Sequence, residues 1–168
     1  MQRPTPETVY KAASGFTLLE IVMVIAIIAI LASLAIPSQM GAVTQKRVIE
    51  TLELVEPYKQ KVAIHFSTHN GKFPTDNEAI GLPAAEKIIG NYLEKMQLRD
   101  GVMHLYLGQK LPQQIHHNIL SIRPVFVKDS PASPISWICG YNEVPMGMTA
   151  SGINLTDVEN IFLPGRCR

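Results

Sequence analysis

No charged side chain occurs between Glu20 and Lys46. About 25 uncharged residues make roughly 37 Å of helix at ~1.5 Å per residue, enough to cross a hydrocarbon layer. Charge is scarce overall as well: the net charge is +1 at pH 7. The first fifteen residues carry Arg3, Lys11 and Glu7, and without them the chain is near neutral. That balance argues against a strongly electrostatic nucleic-acid binder or a polybasic membrane-surface protein. Cysteine is limited to Cys139 and Cys167. In a reducing compartment they read as two free thiols, and outside a membrane as a disulfide, so the compartment decides. The sequence has no nucleophile elbow, phosphate loop or Cys-His metal spacing. It is not read as an enzyme, and no cofactor is implied.

The apolar content is concentrated in Ile21–Ile36, which leaves the rest ordinary for one modest domain. Arg3 and Lys11 precede this run and favour a cytoplasmic N-terminus with an exported C-terminal domain. Two cuts are legible. "LASLAIPSQ", after the run, passes for a secretory cleavage site, whereas "AASG", before it, offers a cut that keeps the apolar segment attached. Glu20 stands at the edge of the run. A charge at the bilayer centre costs roughly 2.5–3.5 kcal/mol, so a carboxylate here needs a partner unless it snorkels to the interface.

The helical pattern resumes after Pro37. Val48, Leu52, Val55, Val62 and Phe66 form one apolar stripe, with Glu50, Glu53, Glu56, Lys59 and Lys61 on a solvated face. Asn70-Gly71 is a stop signal. Residues 16–68 therefore read as one helix of roughly 80 Å at ~1.5 Å per residue, bent or loosened at Pro37 and Pro57.

Beyond Gly71 the period changes. "GKFPTDNEAIGLPAAEKIIG" reads as a connecting loop with one helical turn at Ala84–Ile88. Met96 and Leu98 alternate before Asp100-Gly101, and Met103, Leu105 and Leu107 alternate after it, a strong hairpin signal. "NILSIRPVFV" supplies a third strand, half-exposed at its start, in which Pro124 suggests a bulge or an edge. "PISWICGY" supplies a fourth. A small sheet must bury one face, and the helical stripe has about the right length to cover it, so the fold class is α+β.

"GFTLLE" followed by the apolar run resembles the N-terminus of type IV pilins and of their secretion pseudopilin relatives. The resemblance implies cleavage after Gly15 by a prepilin peptidase on the cytoplasmic side, then N-methylation of the new terminal residue, Phe16. Residues 1–15 would be a leader, 16–45 a transmembrane and fibre-core helix half, and 46–168 a globular α+β head. Glu20, at the fifth mature position, matches the family's glutamate, which pairs with the Phe16 amine of a neighbouring subunit during assembly. Pro37 and Pro57 match the family's two helix prolines. The family's fold is an antiparallel sheet of about four strands on the C-terminal half of the helix.

"SWICGY" and "LPGRCR" resemble the end of major pilins of the phenylalanine subclass, in which a disulfide closes a C-terminal loop. Carried over, it pairs Cys139 with Cys167 across about 28 residues, worth roughly 3–4 kcal/mol in the chain-entropy model. Without the bridge the segment between the cysteines has little regular patterning to hold it and is expected to fray. The implied partners are the same chain in a helical homopolymer, the peptidase, the inner-membrane assembly machinery and the membrane itself before export. The implied location is the inner membrane and then an extracellular fimbrium, serving adhesion, twitching motility or DNA uptake. The chain departs from the family in its long leader, in Ala29, Gln39 and Ala42, and in lacking aromatics between Phe16 and Tyr58.

Two further readings stay beside this one. A minor or competence pilin would contact DNA through Lys110, Arg123, Lys128, Arg166 and Arg168, although near-neutral charge weighs against it. A secretion-system pseudopilin is weighed against by the terminal cysteines. Among the histidines, His65 and His69 have a spacing that places two ligands on one helix face but lack an evident third, so no metal is assigned. His104 falls within the alternating run after Asp100-Gly101, and His116-His117 reads as a solvated loop pair. Asn154-Leu155-Thr156 is a glycosylation sequon.

Overall fold

The computed structural model describes residues 15–168, apart from the side chains of residues 34–40. The expected leader, up to Ser14, lies outside the described residues. The chain divides into two compact units, Met1–Pro37 and Ser38–Arg168. Helix α1 spans Leu18–Leu54 and α2 spans Glu56–Thr68, where the sequence reads as one helix. The break at Val55 has a local cause. Pro57, in the first turn of α2, has no N–H to donate to the carbonyl four residues back, and its ring crowds that carbonyl. The Tyr58 N–H turns instead to the Val55 carbonyl at 3.0 Å. Through Pro37 α1 remains helical.

Asn70 and Gly71 end α2 by taking positive φ, 53° and 75°. That turn lets the Gly71 N–H reach back to the Phe66 carbonyl at 2.9 Å. The connection to the sheet holds two single 3₁₀ turns, Glu78–Ile80 and Ala85–Lys87. Asn77 ties it to the first strand: the buried amide accepts from the Leu98 N–H at 2.7 Å and donates to the Met96 carbonyl at 3.3 Å.

The sheet has five antiparallel strands: β1 Leu93–Arg99, β2 Val102–Leu107, β3 Ile119–Phe126, β4 Ser136–Cys139 and β5 Thr149–Ala150. The order is β1-β2-β3-β4, with β5 also pairing β3. Asp100 and Gly101, at φ 50° and 80°, make the two-residue turn expected between β1 and β2. Cross-strand rows build the core: Met96, Leu105 and Leu120 form one, and Leu98, Met103, Ile122 and Cys139 form the next. Val48, Leu52, Val55 and Val62 cover them as the stripe requires.

Pro124 is neither at an edge nor in a bulge. It lies in β3 opposite Trp137. Its carbonyl accepts from the Ser151 N–H at 3.0 Å. In an antiparallel strand the N–H and C=O of one residue face the same way, so the missing donor points toward β5, past the end of the β2 pairing, and no β4 bond is lost. β5 escaped the sequence reading because two residues carry no period.

Candidate functional site: the exposed helix and the closed C-terminal loop

Every large apolar side chain from Leu18 to Leu31 is exposed, with Leu18 at 83% and Ile30 at 63%. Phe16, at 77%, is exposed just before the helix begins. A contiguous apolar surface of this extent marks an interaction site or a membrane contact. Among the described residues no helix is long and apolar enough to cross a membrane. The span expected over 16–45 includes residues 34–40, whose side chains lie outside the described residues.

The start of α1 shows a feature the sequence reading passed over. The Thr17 hydroxyl accepts from the Glu20 N–H at 3.2 Å, and the Thr17 carbonyl accepts from the same N–H at 3.1 Å. Thr17-Leu18-Leu19-Glu20 is a capping-box pattern, a signal visible in the sequence. Glu20 therefore stands in the first turn, where the helix dipole favours a carboxylate. Both residues are exposed, and Gly15 and Phe16 precede the helix without regular secondary structure.

The second element is the C-terminal segment. Cys139 and Cys167 are bonded, with Cα atoms 4.7 Å apart. Gly140 follows at φ 59°, and a Cβ there would lie 2.1 Å from the Cys167 carbonyl oxygen, so the closure needs glycine. The enclosed loop is also held by hydrogen bonds besides the bridge. Asp157 exchanges two bonds with Ile119, its carboxylate accepting at 2.6 Å and its N–H donating at 3.1 Å. Thr156 Oγ1 accepts from the Ser121 N–H at 3.1 Å, and the Asn154 amide donates to the Gly140 carbonyl at 2.8 Å. The sequon asparagine is therefore engaged within the fold, its Oδ1 also receiving the Thr156 hydroxyl at 2.7 Å. Val158 and Leu163 are fully buried.

These contacts lay the loop across the outer face of β2 and β3. That explains why Ser121, read as half-exposed, is fully buried. Its hydroxyl accepts from the Leu155 N–H at 3.0 Å and lies 2.9 Å from His104 Nδ1. The Ser121 oxygen thus joins the Leu155 backbone and the His104 ring in one buried polar cluster. Burial pushes the His104 imidazole below its ordinary value, and the Arg99 charge adds to the effect.

The remaining sequence candidates separate. His65 and His69 stack at the end of α2, whereas His117 pairs with the Glu94 carboxylate at 2.6 Å and His116 contacts the Leu111 carbonyl. Among the described residues no group of three potential metal ligands occurs. Of the cations considered for DNA, Arg166 shares a small cavity with Lys59, Lys128 lines a different one, and Arg123 is half-buried in β3 opposite Ile138.

Comparison with known proteins matches both elements. Residues 10–36 fit the prokaryotic N-terminal methylation motif. The type IV major pilin protein PilE of Neisseria gonorrhoeae is 29% identical over 160 residues, covering 92% of this chain and 93% of the relative. A fimbrial protein of Neisseria meningitidis serogroup B is 26% identical with the same coverage. The fimbrial protein EcpC of Eikenella corrodens is 37% identical over 82 residues, 49% of this chain and 52% of its own length. Residues 47–168, which hold the sheet and the closed loop, match the pilin family of bacterial-filament proteins, and the chain belongs to that family.

Proposed function

We propose that this chain is the repeating subunit of an extracellular type IV pilus, assembled through its N-terminal apolar helix. The observation that carries the reading is the uncovered apolar surface from Leu18 to Leu31 with a single carboxylate, Glu20, at its start. Such a surface is stable in a membrane before assembly and among its own copies afterwards. Processing cuts between Gly15 and Phe16, and Phe16 is then N-methylated. The leader is residues 1–15, the fibre-core half 16–45 and the head 46–168. Pro37 loosens the helix within the core half. Glu20 pairs with the Phe16 amine of a neighbouring subunit, since a buried carboxylate requires a partner. The prepilin peptidase and the inner-membrane assembly machinery are its transient partners. No enzyme activity is part of this reading, and the fibre serves adhesion or motility through its length and retraction.

Intact-mass measurement of the exported protein tests the processing. A mass that retains residues 1–15, or one that begins after Ala35, would sink it. Glu20→Val tests the pairing. The substitution makes the segment more apolar, so membrane insertion is unchanged or improved. It also strands the amine among apolar helices, at ~3–5 kcal/mol per subunit. Electron microscopy is expected to show no fibres while cleaved monomer accumulates in the membrane. Normal fibres from Glu20→Val would overturn the pairing.

A further inference from the structure

His65 and His69 stand apart from the other histidines. His65 lies in the last turn of α2 and His69 is its C-cap residue, and their rings stack in parallel with centroids 3.9 Å apart and planes 8° from parallel. His69 Nδ1 lies 3.0 Å from the His65 carbonyl oxygen. The Thr68 hydroxyl lies at the same distance, 3.0 Å, from that nitrogen. When Nδ1–H donates to the carbonyl, the Nε2 lone pair is left for a ligand. Metal-ligating histidines are oriented in the same way, by an Nδ1–H bond to a carbonyl or carboxylate. Two histidines four residues apart on one helix face are also spaced to share one ion. The C-terminal end of α2 contributes the negative end of its dipole, which favours a cation.

We infer that His65 and His69 together hold one borderline divalent ion of the Zn²⁺, Ni²⁺ and Cu²⁺ class, through Nε2 of His69 and a ring nitrogen of His65. Water fills the remaining positions, since among the described residues no third ligand joins the pair. The site is therefore open and exchangeable, unlike a closed structural zinc site. Bonds of about 2.0–2.1 Å to each nitrogen require the rings to leave their parallel stack and tilt together at their outer edges, a movement that the exposed position of His69 permits at the expense of its stacking contact. Lys61 lines the same shallow concavity and opposes a cation, which lowers affinity further. When occupied, the ion cross-links the final turn of α2 and fixes the entry to Asn70-Gly71.

The test uses the full chain in detergent micelles, without an affinity tag, titrated with Ni²⁺ in a calorimeter and with Cu²⁺ in an electron paramagnetic resonance tube. One Ni²⁺ is expected per chain. His65→Ala and His69→Asn should each weaken binding at least tenfold, and the double variant His116→Ala/His117→Ala should leave it unchanged. Asparagine suits the helix end at position 69, and far-UV circular dichroism confirms that each variant folds. The wild-type Cu²⁺ spectrum should show two imidazole nitrogens, falling to one in either single variant. Metal uptake unaffected by His65→Ala and His69→Asn would overturn the inference. So would a wild-type spectrum with fewer than two imidazole nitrogens, a readout that does not depend on any variant folding.

Discussion

α1 contains two apolar regions that the chain treats in opposite ways. From Leu18 to Leu31 the helix is apolar nearly all round, and every large side chain is exposed. From Thr44 onward it is apolar on one stripe, and Val48 and Leu52 are buried along with Val55, Val62 and Phe66 beyond them. Hydrophobicity alone does not decide burial. A stripe carries its own instruction, because its polar flanks tell the chain which side to cover and the sheet supplies an apolar face of matching size. A helix without polar flanks gives no such instruction, and its cover must come from outside the chain.

The largest expected effect comes from placing one carboxylate in each region. Leu52→Asp buries an unpaired charge against the sheet and should cost ~4–5 kcal/mol or abolish folding of the globular unit. Ile25→Asp should leave the melting temperature of that unit unchanged. Thermal melts of both full-length variants in detergent check this. Equal losses would mean that the two regions do not differ in their source of cover.

A second contrast is between covalent and hydrogen-bonded closure of the C-terminal loop. Cys139→Ser should lower stability by roughly 3–4 kcal/mol, the chain-entropy value for such a loop. Amide exchange at Leu155 and Asp157 should nevertheless stay protected, because Ser121 and Ile119 still hold them. Loss of that protection would return the loop to dependence on the bridge. Wild-type protein without reductant should show Cys139 linked to Cys167 by mass spectrometry.

The smallest effect is a pH dependence from His104, in β2 beside Ser121. His104 titrates at 6.5 when unfolded and lower when folded. Between those values the unfolded chain binds more protons, so stability falls as pH drops below about 6.5 and levels off below the folded value. Above 6.5 the contribution is complete. His104→Gln should flatten this part of the urea-midpoint profile, whereas an unaltered profile would assign the dependence to other groups.

Much of this architecture was legible because it repeats. The stripe through Val48, Leu52, Val55, Val62 and Phe66 has the helical period, and the strands flanking Asp100-Gly101 alternate around a turn that demands positive φ. Contacts made once have no period to detect. Ser121 looked solvent-facing because the segment that covers it, Asn154–Asp157, uses polar side chains bonded to backbone instead of apolar ones. The interruption at Val55 is a one-residue event beneath an unbroken apolar pattern. Thr17 did have a signal, threonine three residues before glutamate, which is the capping-box spacing.

The bridge between Cys139 and Cys167 also has a mechanical meaning. A chain drawn out from its ends lengthens by whatever backbone it can release. With the two cysteines joined, the path from position 139 to 167 is a span of 4.7 Å between Cα atoms, instead of on the order of 90 Å of extended backbone. Under tension the sulfurs carry the load past the loop, and the hydrogen bonds of Asn154, Thr156 and Asp157 are spared it. A subunit loaded along its chain keeps that part of its surface in shape until a covalent bond, and not a hydrogen bond, gives way.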